Sequence, residues 1–132
     1  MTTREVLKST VPTTGLPYAQ AIRVGDLVFV AGQVALDPAT GQAMAGDVTA
    51  QTERVIENIK RILENAGTSL AYAVENFCFL ADVRRDFASF NAAYGRYFDT
   101  NGPTRTTVQA VLPREGLLVE IRCLAVMPPP GG

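Results

Sequence analysis

Histidine is absent from this chain, and that absence excludes more chemistry than any residue present includes. Without it there is no Ser-His-Asp triad, no Cys-His pair and no histidine-based metal site. Cysteine is scarce. Cys78 and Cys123 are far apart, form no CxxC or other ligand spacing, and sit in apolar strand-like runs, as buried free thiols do. There is no block of like charge and the net charge is −1, so no basic footprint exists for nucleic acid or an anionic membrane. No apolar run approaches the ~18 residues of a membrane span, and Met1, Thr2, Thr3, Arg4 and Glu5 lead into no apolar signal segment. These features suggest a cytoplasmic protein. Its chemistry must come from carboxylates, arginine, tyrosine, amides, hydroxyls and the backbone.

What is present describes an ordinary globular chain: 132 residues, 47% hydrophobic and 19% charged. That length suits a single domain over 1–132, with 1–3 and 128–132 as frayed ends. Residues 4–8 read as a short edge strand and 11–17 as a loop rich in Thr, Gly and Pro. Strands are expected at 19–24 and 27–31, joined by the hairpin signal Gly25-Asp26, with Gly32 ending the second. Asp47 can cap a long helix in which Val55, Ile56, Ile59, Ile62 and Leu63 recur at helical spacing until Ala66 and Gly67 stop it. An inner strand at 74–81, an amphipathic helix at 86–98 with a core stripe of Phe87, Phe90, Tyr94, Tyr97 and Phe98, and strands at 104–112 and 117–126 complete the order β-β-β-α-β-α-β-β.

Two such helices cover only one face of the sheet, yet strands 74–81 and 117–126 are apolar on both faces. A neighbouring subunit is the simplest cover, which predicts a homo-oligomer. The last two strands also carry charges where apolar residues are usual, Arg105 and Glu120. If Pro113, Arg114, Glu115 and Gly116 turn them into a hairpin, Gln109 faces Glu120, Arg105 faces Leu124, and both charges line one side of the sheet. Arg105 then lies ~13 Å from Glu120 between Cα atoms, leaving a gap of small-molecule size. Arg105 offers a planar fork for a carboxylate, and a partly desolvated Glu120 could hold or activate a water. The same residues, with Arg122, also suit a purely structural ion-pair network.

Together these residues resemble the Rid family, the reactive intermediate/imine deaminases also described as YjgF-like proteins. The likeness runs over about residues 14–127 and is most specific at Pro103, Thr104, Arg105, Thr106, Thr107 and Val108, then Leu112-Pro113, Val119-Glu120-Ile121 and Ala125. Pro17-Tyr18-Ala19-Gln20-Ala21, Gly32-Gln33, Asp37-Pro38, Gln51 and Asn91 support it. The resemblance implies an α+β fold of the chorismate-mutase-like (bacillus) type: a mostly antiparallel six-stranded sheet with two helices on one face, assembled as a homotrimeric barrel with intersubunit clefts. It implies hydrolysis of 2-imino (2-aminoacrylate-derived) acids to 2-keto acids and ammonia, with no cofactor and no metal. By position, Arg105 grips the substrate carboxylate with the backbone of Thr107, Glu120 positions water, and Tyr18, Gly32 and Asn91 complete the cleft.

Each of these residues also has a plain structural use: Tyr18 packing its loop, Gly32 serving a turn, Asn91 bordering a helix. Alternative functions are a non-catalytic metabolite-binding or chaperone-like trimer, or a pathway-specific deaminase of the aminomuconate type. Four departures from the family pattern stand out: Leu16, Ala31, Thr107 and Arg122 replace a usual Gly, Ser, Cys and acidic residue. Arg122, sharing a face with Glu120, is expected to favour the ionised carboxylate.

Overall fold

Asp47 and Asp82 start the two helices by the same chemistry. In the computed structural model, which describes residues 3–10 and 15–131, each carboxylate accepts a backbone N–H from the first turn, Ala50 and Arg85 respectively. Helix α1 (Val48–Asn65) buries Val55, Ile56, Ile59, Ile62 and Leu63 along one stripe, as the spacing predicts. Gly67, at φ 92°, lets the chain leave it. Helix α2 (Val83–Tyr94) begins and ends earlier than expected, because Asp82 and not Asp86 is its cap. The expectations for residues 1–2, 11–14 and 132 fall outside the described residues.

The strands are β1 (Arg4–Val6), β2 (Ala21–Val24), β3 (Leu27–Val34), β4 (Ala73–Leu80), β5 (Thr104–Gln109) and β6 (Val119–Val126). They form one six-stranded sheet in the order β1-β2-β3-β6-β4-β5. All pairings are antiparallel except β4 with β5. The hairpin at Gly25 forms as expected, with that residue at φ 59°. Val28, Val30, Cys78, Leu80, Val119, Ile121, Cys123 and Ala125 alternate onto the face covered by both helices and make the core with them. The domain is thus α+β, with its helices on one side. The other face carries Phe29, Phe77, Phe79 and Leu124, and Phe29 is 47% exposed.

Two expectations about the sheet are overturned. The strands at the C-terminal end do not pair as a hairpin. β5 lies parallel to β4, with Arg105 beside Asn76 and Thr107 beside Cys78, while β6 inserts between β3 and β4. The reason is in the connections and the composition. The β4-α2-β5 segment is long enough for a helical crossover, which permits parallel neighbours. β6 is wholly apolar on its helix side and carries Leu124 and Val126 beside Glu120 and Arg122 on the other, which suits the centre, whereas the Thr-rich β5 suits an edge. Nor does Gly32 end a strand, because β3 continues through it to Val34.

Residues 110–118 carry the chain across the end of β4, where the Ala110 N–H donates to the Leu80 carbonyl and the Ala81 N–H to the Leu118 carbonyl. Gln51 of α1, 1% exposed, fastens this crossing. Its Nε2 donates to the carbonyls of Gly46 (3.2 Å) and Gly116 (2.8 Å), and its Oε1 accepts the Leu118 N–H (2.8 Å). Gln51→Ala leaves these buried backbone groups without partners, so chemical denaturation should show a loss of about 2–3 kcal/mol. A change below ~0.5 kcal/mol would show that the crossing does not depend on this side chain.

Candidate functional site

Arg105 is placed by β5 but surrounded by α2. Its register partner Asn76 faces the helices, so Arg105 does too, and its guanidinium lies over Phe87, Phe90 and Tyr94 at 5.7, 5.1 and 4.9 Å from the ring centroids. These aromatics share one side of α2 by helical spacing, and they hold the cation by attraction to their ring faces. Phe90 and Tyr94 are core, as expected, but Phe87 is 41% exposed and serves as a wall beside Arg105. Among the described residues no carboxylate pairs with Arg105 and no acceptor takes its N–H donors. It is a cation without a counter-ion.

The surroundings of Arg105 fix this arrangement. Asn76, fully buried, donates from Nδ2 to the Tyr94 hydroxyl at 3.0 Å and so pins the ring beneath the guanidinium. Burial pushes the Tyr94 hydroxyl pKa up, so it stays protonated at neutral pH. Thr107 faces the same way, with a buried Oγ1 that has no partner. Asn91 stands one turn after Phe87 on α2 and is half-buried. Burial also pushes the thiols of Cys78 and Cys123 up to about 12, which leaves both protonated and inert.

Glu120 occupies the opposite face. It stands beside Phe79 of β4 and Val34 of β3, on the side away from the helices. The expectation that Arg105 and Glu120 line one side therefore fails: β4 separates their strands, and the actual register gives them opposite parity. Next to Glu120, β3 is bulged, with Ala31 and Gly32 set against Arg122 alone between the pairs Val30–Cys123 and Gln33–Ile121. Gly32 is needed there, because a Cβ would collide with Glu120 Oε2 and stand 3.0 Å from its Cδ. Burial raises the Glu120 pKa. Arg122 does share this face, but its guanidinium turns to Glu75 at 3.8 Å and lies over Phe77 at 5.3 Å. The expected depression of the Glu120 pKa by Arg122 is therefore not found.

Tyr18 is 66% exposed and lines a cavity of about 350 Å³ together with Gly32 and Gln33. One chain thus presents two candidate half-sites. Arg105 and Thr107 stand on the helix side of β5, with Asn91 on α2, while Glu120 stands against Gly32 at the bulge and Tyr18 and Gly32 line one cavity. Among the described residues no cluster of Cys, Asp and Glu could hold a metal ion, and no helix is long and apolar enough to cross a membrane. The aromatic bed and the bulge are the parts that sequence reasoning missed. The helical spacing of Phe87, Phe90 and Tyr94 signals the former only once β5 is known to pass over α2.

Residues 9–127 match the family model described as endoribonuclease L-PSP. A RutC family protein of Pyrococcus abyssi is 46% identical over 109 residues, covering 83% of this chain and 85% of its own. The crystal structure of RidA from an Antarctic Psychrobacter is similar with a TM-score of 0.84 at 35% identity, covering 93% of this chain and 99% of that one. That of E. coli TdcF with bound serine has a TM-score of 0.84 at 31% identity, covering 94% and 99%.

The raised Glu120 pKa has a consequence for stability. Folding favours the protonated carboxyl, a contribution fully present below the unfolded value of ~4.3 and lost as pH rises through the raised folded value. At pH 7 the ionised group therefore opposes folding. Glu120→Gln should raise Tm at pH 7, with the gain vanishing below about pH 4. A lower Tm at pH 7 would contradict this account of the carboxyl.

Proposed function

This chain belongs to the endoribonuclease L-PSP family, whose members include proteins named RutC and Rid, and we propose that it is a cofactor-independent imine deaminase. Its substrates are small 2-imino acids such as 2-iminopropanoate, which it hydrolyses to 2-keto acids and ammonia. The observation that carries this reading is the Arg105 guanidinium, held on three aromatic rings with no carboxylate among the described residues to neutralise it. Such a fork is complementary to a substrate carboxylate, which it binds through parallel N–H donors, with the backbone of Thr107 alongside. The serine in the E. coli TdcF structure is a carboxylate ligand of the same size.

Glu120 supplies the second function. A carboxyl raised by burial is a better base than an exposed one, and it holds a water against the imine carbon. As the water oxygen bonds to that carbon, Glu120 takes one of its protons, the C=N π electrons move to nitrogen, and nitrogen is protonated to give a carbinolamine. A second proton reaches nitrogen while the hydroxyl gives up its own proton and forms the C=O bond, so the C–N pair leaves with ammonia and imino acid and water become keto acid and ammonia. Tyr18, the backbone at Gly32, and Asn91 close the cleft. A net charge of −1 and the lack of a basic stripe speak against RNA as the substrate, whatever the family's name.

Because the half-sites occupy opposite faces of one sheet, each cleft is completed by a second copy. Arg105 of one subunit meets Glu120 of its neighbour in a homotrimer, with the uncovered faces turned inward as a barrel. That assembly also buries Phe29 and its apolar neighbours.

Keto-acid release from enzymatically generated 2-iminopropanoate tests the reading. Arg105→Ala and Glu120→Gln should each lower the rate by about a hundredfold or more. Co-refolding the two variants should restore part of the activity, since mixed trimers regain clefts with both residues intact. No acceleration by the wild-type chain, or full activity in Arg105→Ala, would end the deaminase reading. A monomer in sedimentation at micromolar concentration would end the shared cleft.

A further inference from the structure

The cavity beside Gly32 is larger than the reaction centre requires. Its volume is about 350 Å³, and its apolar wall is built from Val6, Leu7, Leu16, Ala19, Val34 and Leu36. It shares Gly32 with the Glu120 carboxyl, so it adjoins the atom that would hold the water. None of its described lining residues is charged, and apart from the Tyr18 hydroxyl its polar side chains are engaged locally. Gln20 Oε1 accepts both the N–H and the hydroxyl of Thr10 (2.9 and 3.1 Å), Gln33 Nε2 donates to the Ala31 carbonyl (2.9 Å), and Ser9 has a partner of its own. An ionised group entering this space would lose its hydration and gain no counter-charge, whereas a hydrocarbon group would gain by leaving water.

A 2-imino acid presents three substituents at its reactive carbon: the carboxylate, the nitrogen and the side chain. With the carboxylate on Arg105 and the nitrogen a polar group that an apolar wall would desolvate, the side chain is the substituent suited to the cavity. A methyl group leaves most of that volume empty; a butyl or thioether chain fills far more of it. We propose that this cavity is the side-chain pocket of the imine site. It selects aliphatic 2-imino acids of leucine or methionine size over 2-iminopropanoate and over dicarboxylic imino acids. Leu16 supplies part of the apolar wall. The inference rests on the deaminase reading for its chemistry, but the pocket's preference can be measured without turnover.

The imines of leucine, alanine and aspartate, made in situ by amino-acid oxidases, are compared with the intact wild-type chain. The leucine-derived imine should show a kcat/KM at least about tenfold above the alanine-derived one, in line with the discrimination a single methylene gives in an apolar pocket. The aspartate-derived imine should be the poorest. Ala19→Leu, which fills the cavity, and Leu16→Asp, which charges it, should each reduce the leucine-derived rate about tenfold more than the alanine-derived one. In parallel, 4-methyl-2-oxopentanoate, pyruvate and oxaloacetate are titrated calorimetrically and should bind in that order of falling affinity. Equal or reversed preference in both assays, or variants that leave the ratios unchanged, overturns the pocket. If no imine is accelerated, the deaminase reading falls, and the keto-acid titration still decides what the cavity prefers.

Discussion

Strand β6 pairs on both sides, with β3 and with β4, and through it alone the hydrogen-bonded sheet is continuous. On one side stand β1, β2 and β3, the last two joined by the tight turn at Gly25; on the other stands the β4-α2-β5 crossover. One face of β6 is wholly apolar and meets the helices, and the other sets Leu124, Glu120 and Arg122 among the exposed aromatic residues of β3 and β4. The placement also decides where the chemistry lies. Glu120 comes to the bulged end of β3, while Arg105 stays two strands away on the opposite face. A hairpin of the last two strands would have put both charges in one chain's cleft. The sheet order instead sets the two charges on opposite faces of the chain.

Among the described residues, Arg105 has its aromatic bed but no ion-pair partner, and Glu120 is partly desolvated without an ion-pair partner. The charge that might have relieved Glu120 is drawn away, since Arg122 engages Glu75 and Phe77. Asn76 and Gly32 maintain these conditions from opposite sides, one by pinning Tyr94, the other by leaving room for the carboxyl. Structural ion pairs satisfy each other; these two groups stand on opposite faces and do not, so the salt-bridge network that their charges suggested is not formed between them.

Local features of this chain were legible from its sequence because they depend on near neighbours. The caps, the α1 stripe, the Gly25 hairpin and the inner character of β4 all follow from spacing within a few residues. The uncovered apolar face was legible as well, since alternation alone reveals it. Strand order was not. Pro113 to Gly116 has the composition of a tight turn, but turn chemistry says only that the chain bends, and Gln51, distant in sequence, guides the segment over β4. The error propagated to the site, because a strand's partner fixes which way its side chains point. Arg105 and Glu120 were identifiable as unusual residues; that they face apart was knowable only from the register.

The central position of β6 also bears on how the protein is made. It is the last strand in chain order, so during synthesis β3 and β4 wait with open edges until residues 119–126 leave the ribosome. Unpaired edges of Val- and Phe-rich strands are templates for association with other chains. The contacts that remove them span most of the sequence, which slows closure relative to the local helices and hairpin. Biogenesis, and not the finished fold, is then the stage at which this sheet is most exposed to aggregation, and the C-terminal strand is the segment whose arrival ends that exposure.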